Sequence, residues 1–402
     1  MSSAPWRRSD LLPLADPVEG GRVDGWGWHL DGHTHGMSLD GLRTEIRTEV
    51  ARVTAPVKGF VVSRPKVPSV ALVAVPEEPR LRTVAEVPEL AEVTLAREEE
   101  SLSHQVATQR KPAILLGVLG ALVAPFMLIL GVVSLPLLLV GVDGVLPFLE
   151  NRRRLRLLRA DPAGFLGDLD LALRFQYWLA VTRQGWDWRT WGLVGAWAGL
   201  FLLQLATGLE ASVGAAALVK PRLLQEPWRL LTGAFLHGSL MHLAMNGFGM
   251  LALGPMVERL ADRRMLAPLW VGGALAGSLV SWAWQPQGSS VGASGGLMAL
   301  IGYLACLGHT HRGDLPREFR REQVRSILLV VLLGVLAYRM IDNGGHLGGL
   351  LLGLAVGGVH HRRCTPLPLP PTPALRALDL LSLALASAAA GFTALRLLGL
   401  AG

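Results

Sequence analysis

From Pro112 onward the chain alternates long apolar runs with short basic ones, a rhythm that few structures can accommodate. The apolar runs fall near 113–149, 190–208, 233–254, 266–284, 292–308, 325–340, 344–360 and 377–400. A helix needs about 20 apolar residues to cross a bilayer. The first run is long enough for a tight hairpin of two short spans. Glycine and proline inside the runs are no obstacle, because both are more frequent in membrane helices than in soluble ones. Charged residues make up 17% of the chain, against about 25% in an ordinary soluble domain, and the mean hydropathy is +0.40. The expectation is an all-α polytopic membrane protein. No apolar run precedes residue 110, so the first hydrophobic segment is expected to act as an uncleaved insertion signal.

The net charge of +7 could suggest a nucleic-acid partner, but its distribution argues against one. "NRRRLRLLR" (151–159), "RLADRR" (259–264), "HTHRGDLPREFRREQVR" (309–325) and "HHRRC" (360–364) fall on alternate sides of successive spans, whereas "QPQGSS" (285–290) carries no cation. That is the positive-inside pattern, which places all four clusters and the N-terminus in the cytoplasm, with a plasma or inner membrane as the expected location. The two cysteines, Cys306 and Cys364, offer neither a disulfide framework nor metal spacing.

Five stretches follow: a cytoplasmic N-terminal region (1–111), a hydrophobic hairpin or membrane segment (112–150), a basic cytoplasmic linker (151–189), a membrane core (190–362), and a Pro-rich linker with a last span (363–402). Within the first, "LDGLRTEIRTEVARV" (39–53) reads as an amphipathic helix. The Val- and Pro-rich segment 59–79 reads as short edge strands or extended linker. "HLDGHTH" (29–35) clusters three histidines, but no second ligand group lies nearby, and a solvated loop is the plainer reading. "TPLPLPPTP" (365–373) is a semi-rigid linker.

Parity of the spans makes a geometric statement. With 151–159 inside, the spans at 233–254, 292–308 and 344–360 all begin at the outer face. Ser294 lies just inside the start of one and His346 just inside the start of another, while His237, His242 and Asn246 descend the third. Polar groups in spans are costly and usually face a protein interior or a wet cavity. Taken singly, each has a bland reading: Ser294 among glycines as close helix packing, and His346 as a hydrogen-bonded core residue on a helix seated by Gly349 and Gly353. Taken together, they make an acyl-transfer set. A serine nucleophile needs a base within hydrogen-bond reach and donors aimed at the oxyanion. His346 can be that base. Asn246 and His242, four apart, share a helix face and can supply donors, with the Ser294 amide a third. Gly292, Gly295 and Gly296 would leave room for a peptide carbonyl.

"GASGG" (292–296) also fits the nucleophile elbow of soluble hydrolases, but that motif needs a strand before the serine and an α/β pattern around it, and neither is visible. The residues resemble instead the rhomboid family of intramembrane serine proteases, through "EPWRLLTGAFLHGSLMHLAMN" (226–246), "GASG" (292–295) and "HLGGLLLG" (346–353). The resemblance covers about 190–362. It implies a rhomboid-like six-helix core, here with an extra C-terminal span and an N-terminal hydrophobic hairpin. It further implies Ser294 as nucleophile, His346 as general base, His242 and Asn246 as oxyanion stabilisers, and Trp228 and Arg229 in the first outer loop. His237 and Glu258 fall where the family carries structural polar residues. Met298 departs from the pattern: family members often place an aromatic there against the base, and its thioether can still meet an imidazole face. Asp342, one turn before His346, is a candidate third member, although the family works as a dyad. The function implied is intramembrane serine endopeptidase acting on transmembrane protein substrates in the lipid bilayer, with no metal or organic cofactor. The alternative is a proteolytically inactive relative that binds or chaperones membrane proteins. A transporter would show charged mid-membrane residues and repeated halves, which are not seen.

Overall fold

The computed structural model describes residues 4–7, 12, 25–30, 33–53, 72–78, 80–130, 135–182, 187–336, 338, 341–363, 367 and 372–401. It divides into two compact units, residues 1–183 with 313–318 and residues 184–312 with 319–402.

In the first unit a small antiparallel sheet has the order β2-β1-β3-β4, with β1 at Gly27–Leu30, β2 at His33–Gly36, β3 at Leu72–Ala74 and β4 at Arg82–Thr83. Helix α1 (Leu39–Val53) follows the expected bounds. Its Leu42 and Ile46, one turn apart, are fully buried among Trp26, Trp28, Val73 and Leu90. The histidine-rich 29–35 stretch is therefore no solvated loop. Trp28 and Thr34 are buried, and His29 Nδ1 lies 3.1 Å from Thr34 Oγ1 across the pair, so alternate residues of a hairpin are drawn onto this core. The expected strand or linker at 59–71, Cys364 and most of 365–373 lie outside the described residues.

Helix α2 (Pro88–Leu130, 43 residues) runs unbroken through position 111, where the composition turns apolar. It packs on α3 (Leu135–Ala160) through Leu102, Leu155 and Leu158. Asn151 Nδ2 donates to both Gln105 Oε1 and Gln109 Oε1, at 2.9 and 3.0 Å. Residues 151–159, expected as linker, are the last turns of α3, and α4 (Pro162–Val181) follows. Asp161 accepts from Gly164 N at 2.9 Å, and Pro162 needs no N–H partner at the first turn, so the chain can restart helix there.

The second unit is helical apart from one two-stranded ladder. Its elements are α5 (Trp188–Thr207), α6 (Leu209–Ala216), β5 (Leu218–Val219), α7 (Arg229–Thr232), α8 (Leu240–Val257), α9 (Leu266–Trp284), β6 (Ser289–Ser290), α10 (Ser294–Thr310), α11 (Arg317–Leu336, of which the first two residues belong to the other unit), α12 (Asn343–Arg363) and α13 (Pro373–Leu397). Strand β5 pairs antiparallel with β6. Among the described residues, Trp188–Thr207, the helical run Leu240–Trp284 and Pro373–Leu397 are long and apolar enough to cross a membrane by length and composition. The protein is an all-α polytopic membrane protein with a small antiparallel sheet in its first unit.

The span expected over 233–254 starts later. Gly233–Phe235 is a 3₁₀ turn, and α8 begins after Ser239, whose Oγ accepts from His242 N at 3.1 Å. A Cβ on Gly233 would meet Leu218 N at 2.8 Å, and its carbonyl takes the Gly292 N–H at 2.9 Å. This segment is thus held by the segments around Leu218 and Gly292 before helix can form.

Helix α10 sits centrally, its residues from Gly296 through Leu304 buried. At its glycines the α10–α12 seam brings backbone onto backbone. A Cβ on Gly349 would overlap the carbonyl oxygen of Gly295, one on Gly353 that of Ala299, and one on Gly302 would come within 2.6 Å of Leu350 O. On the α9 side, a Cβ on Gly277 would lie 2.7 Å from Gly345 O and one on Gly348 2.5 Å from Ala276 O. Small residues let membrane helices approach to backbone contact.

Helix α13 is fastened at both ends. Near its start, Asp379 takes Arg189 Nη2 at 2.6 Å and Nε at 3.2 Å, with both side chains buried. Near its end, Phe392 meets Trp228 edge-on at 5.1 Å, and Arg396 Nε donates to Ala215 O at 3.1 Å. Removing one partner of a buried ion pair leaves an uncompensated charge and costs about 3–5 kcal/mol. Asp379→Ala should therefore lower the detergent-solubilised melting temperature by several degrees. The double replacement Arg189→Met with Asp379→Leu should recover most of the loss. An unchanged melt for Asp379→Ala would show that the pair contributes nothing.

Candidate active site

The site is assembled where the chain enters α10. Gly292 has φ +127, in the left-handed region that favours glycine. A Cβ there would lie 2.6 Å from His242 Cε1, 2.7 Å from its Nε2 and 3.7 Å from Asn246 Nδ2. Only glycine lets the strand after β6 press against these two side chains of α8. Two residues on, Ser294 opens α10, and its Oγ lies 2.8 Å from His346 Nε2 on the first turn of α12. The Ser294 hydroxyl donates when Nε2 carries no proton. His346 Nδ1 is buried and has no hydrogen-bond partner among the described residues.

On the other side of Ser294, Asn246 is 4% exposed and its Nδ2 is likewise without a partner. His242 and His237 meet edge-on at 5.2 Å. His237 lies in the loop before α8, not within the span as expected. Gln204 of α5 brackets its backbone, accepting from His237 N at 3.0 Å and donating to His237 O at 3.3 Å. Beneath it stack Trp197 and Trp270, 5.8 Å apart, with Phe235 edge-on to Trp270.

Arg229, at the start of α7, is fully buried. It donates to Ala217 O at 2.7 Å, Gly214 O at 2.9 Å and the Glu226 carboxylate, and stacks 4.4 Å over Trp228. Its hydrogen bond holds the Glu226 carboxyl below the ordinary carboxylate range. This segment bears on the site through β5, whose partner β6 leads to Gly292.

Other candidates fall elsewhere. Glu258 sits past the far end of α8, 3.4 Å from Thr190 Oγ1, and belongs to the scaffold. Met298 is buried one turn beyond Ser294 on α10. Gly295 and Gly296 do not clear space for a substrate: the first faces Gly273 O and Gly345 O, and the second faces the Trp270 ring. Gly349 and Gly353 form the seam. Asp342 does not bond the imidazole. Its Oδ1 accepts from Gly345 N at 2.9 Å and its Oδ2 from the Ser281 hydroxyl, two contacts the sequence reading missed. A hydroxyl inside the apolar run of α9 was the available signal for Ser281.

A hydroxyl held on an imidazole, with amide donors across from it at a helix N-terminus, can perform acyl transfer. Residues 224–363 match the family model of the rhomboid domain, and over this segment the chain is similar to that family. It is similar to Rhomboid protease GluP of Bacillus subtilis, 31% identical over 160 residues, covering 38% of this chain and 31% of the relative. Rhomboid-like protease 3 of Toxoplasma gondii is 33% identical over 144 residues, covering 35% of this chain and 54% of the relative. RHOMBOID-like protein 5 of Arabidopsis thaliana is 33% identical over 33% of this chain and 44% of its own length. The chain thus spans about half the length, or less, of these curated relatives.

Proposed function

We propose that this integral membrane protein is an intramembrane serine endopeptidase that hydrolyses peptide bonds in or near transmembrane segments of other membrane proteins. The observation that carries the reading is the 2.8 Å approach of Ser294 Oγ to His346 Nε2, opposite the unpartnered Asn246 amide. Ser294 Oγ attacks the scissile carbonyl while its proton passes to His346 Nε2. The developing oxyanion takes hydrogen bonds from Asn246 Nδ2, the His242 ring and the Ser294 N–H. The tetrahedral adduct collapses as His346 returns the proton to the leaving amine. Water, deprotonated by the same imidazole, then releases the acyl-enzyme. Serine catalysis without a carboxylate third member has precedents on other folds. The positive-inside pattern supports a cytoplasmic N-terminus in a plasma or inner membrane, with water reaching Ser294 from the outer side. The test is a comparison of membrane-protein fragments in cells carrying the wild type and Ser294→Ala. Fragments ending in or beside transmembrane segments should appear only with the wild type. Identical fragment sets would leave a non-proteolytic binder.

A further inference from the structure

The Asp342 carboxylate is not used by the mechanism above, yet it joins the segments that carry the site. Its Oδ1 takes the N–H of Gly345, the residue before His346, and its backbone carbonyl takes the His346 N–H at 3.0 Å. Its Oδ2 takes the hydroxyl of Ser281 on α9, a residue 1% exposed. Ser290, four residues before Ser294, and the buried Lys220 both lie near enough to act on the same carboxylate. Lys220 N in turn donates to Gly288 O at 3.1 Å, and β5 and β6 pair beside it. One side chain therefore joins the first turn of the histidine helix to α9, beside the lead-in to the serine. His346 Nδ1 has no partner, so Asp342 does not act as an orienting third member through that nitrogen.

We propose that Asp342 is the positioning residue of the site, a tie that sets where Ser294 and His346 stand relative to each other. This rests on the protease reading of the dyad. Asparagine keeps an oxygen for Gly345 N and can exchange a hydrogen bond with Ser281, whereas alanine keeps neither. Misplacement of reacting groups by 1 Å costs about 100-fold, and Asp342→Ala should lower kcat by about that factor with KM little changed. Asp342→Asn should stay within about threefold of wild type, because the geometry survives the loss of charge.

The test uses the full chain in detergent micelles, with activity normalised to folded protein by thermal melt. Amide hydrogen exchange is followed over 289–295 and 343–347. The tie predicts faster exchange in both segments for Asp342→Ala and near-wild-type exchange for Asp342→Asn. Should Asp342→Ala not fold, Ser281→Ala, which removes one donor only, should still speed exchange in 343–347 and lower kcat severalfold. Wild-type kcat in both alanine variants would overturn the proposal. So would an Asp342→Asn variant as slow as Asp342→Ala with a displaced pH midpoint, since that is the signature of a charge acting on the imidazole. A wild-type protein unreactive at Ser294 sinks the protease reading itself, and the exchange data separate that failure from failure of the tie.

Discussion

Purified wild-type protein in micelles should be labelled by a fluorophosphonate at Ser294, and Ser294→Ala and His346→Ala should each reduce labelling and cleavage to background. In a serine protease, removing either member of the nucleophile–base pair costs about 10⁶-fold, nearly as much as removing both. The double variant should therefore be no worse than either single one. The two side chains share one hydrogen bond of 2.8 Å, so each substitution abolishes the same proton transfer. Ser294→Ala removes a single oxygen, whereas His346→Ala removes a ring, so Ser294→Ala is the cleaner variant. The Ser294→Ala melt should stay close to wild type, which keeps loss of activity distinct from loss of fold. Labelling that persisted in Ser294→Ala would place the nucleophile elsewhere.

The second large effect is expected at Asn246. Its amide nitrogen is buried and unpartnered, and it stands beside the Gly292 backbone that leads into Ser294. A buried donor without a partner is costly to keep, and an oxyanion is the acceptor that would satisfy it. Loss of one such donor has cost about 10²–10³ in kcat elsewhere. Asn246→Ala should fall by that order with KM little changed, because the bond strengthens only as charge develops. Turnover per folded molecule is the measurement. A normal kcat would remove Asn246 from the mechanism and leave His242 and the Ser294 amide as donors.

Span parity could place Ser294, His346, His242 and Asn246 at one level of the bilayer, because level depends only on counting residues from each crossing. It could not supply rotation about the helix axes. That is why Gly295 and Gly296 were read as clearance for substrate when they face α9 and α12. His237 was misplaced for a different reason: the apolar run includes 233–239, but hydrogen bonds to Gly292 and Gln204 hold it out of helix. The N-terminal sheet was illegible because its strands are two to four residues long, and β1 finds β3 across more than forty intervening positions. Arg189 and Asp379 had a usable signal, a cation and an anion in apolar surroundings on the same side by parity. Only the structure shows that they meet.

The glycine seam between α10 and α12 has a consequence for what can be tuned. Where two helices rest backbone on backbone, their spacing is fixed by the radius of the helix itself, and no side chain serves as an adjustable shim. The gap between hydroxyl and imidazole therefore has a manufacturing tolerance set by peptide geometry. It cannot be shortened by repacking, and any side chain larger than hydrogen at Gly349 or Gly353 can only widen it. Variation in what the site accepts is thereby confined to the walls and loops around a spacing that does not move.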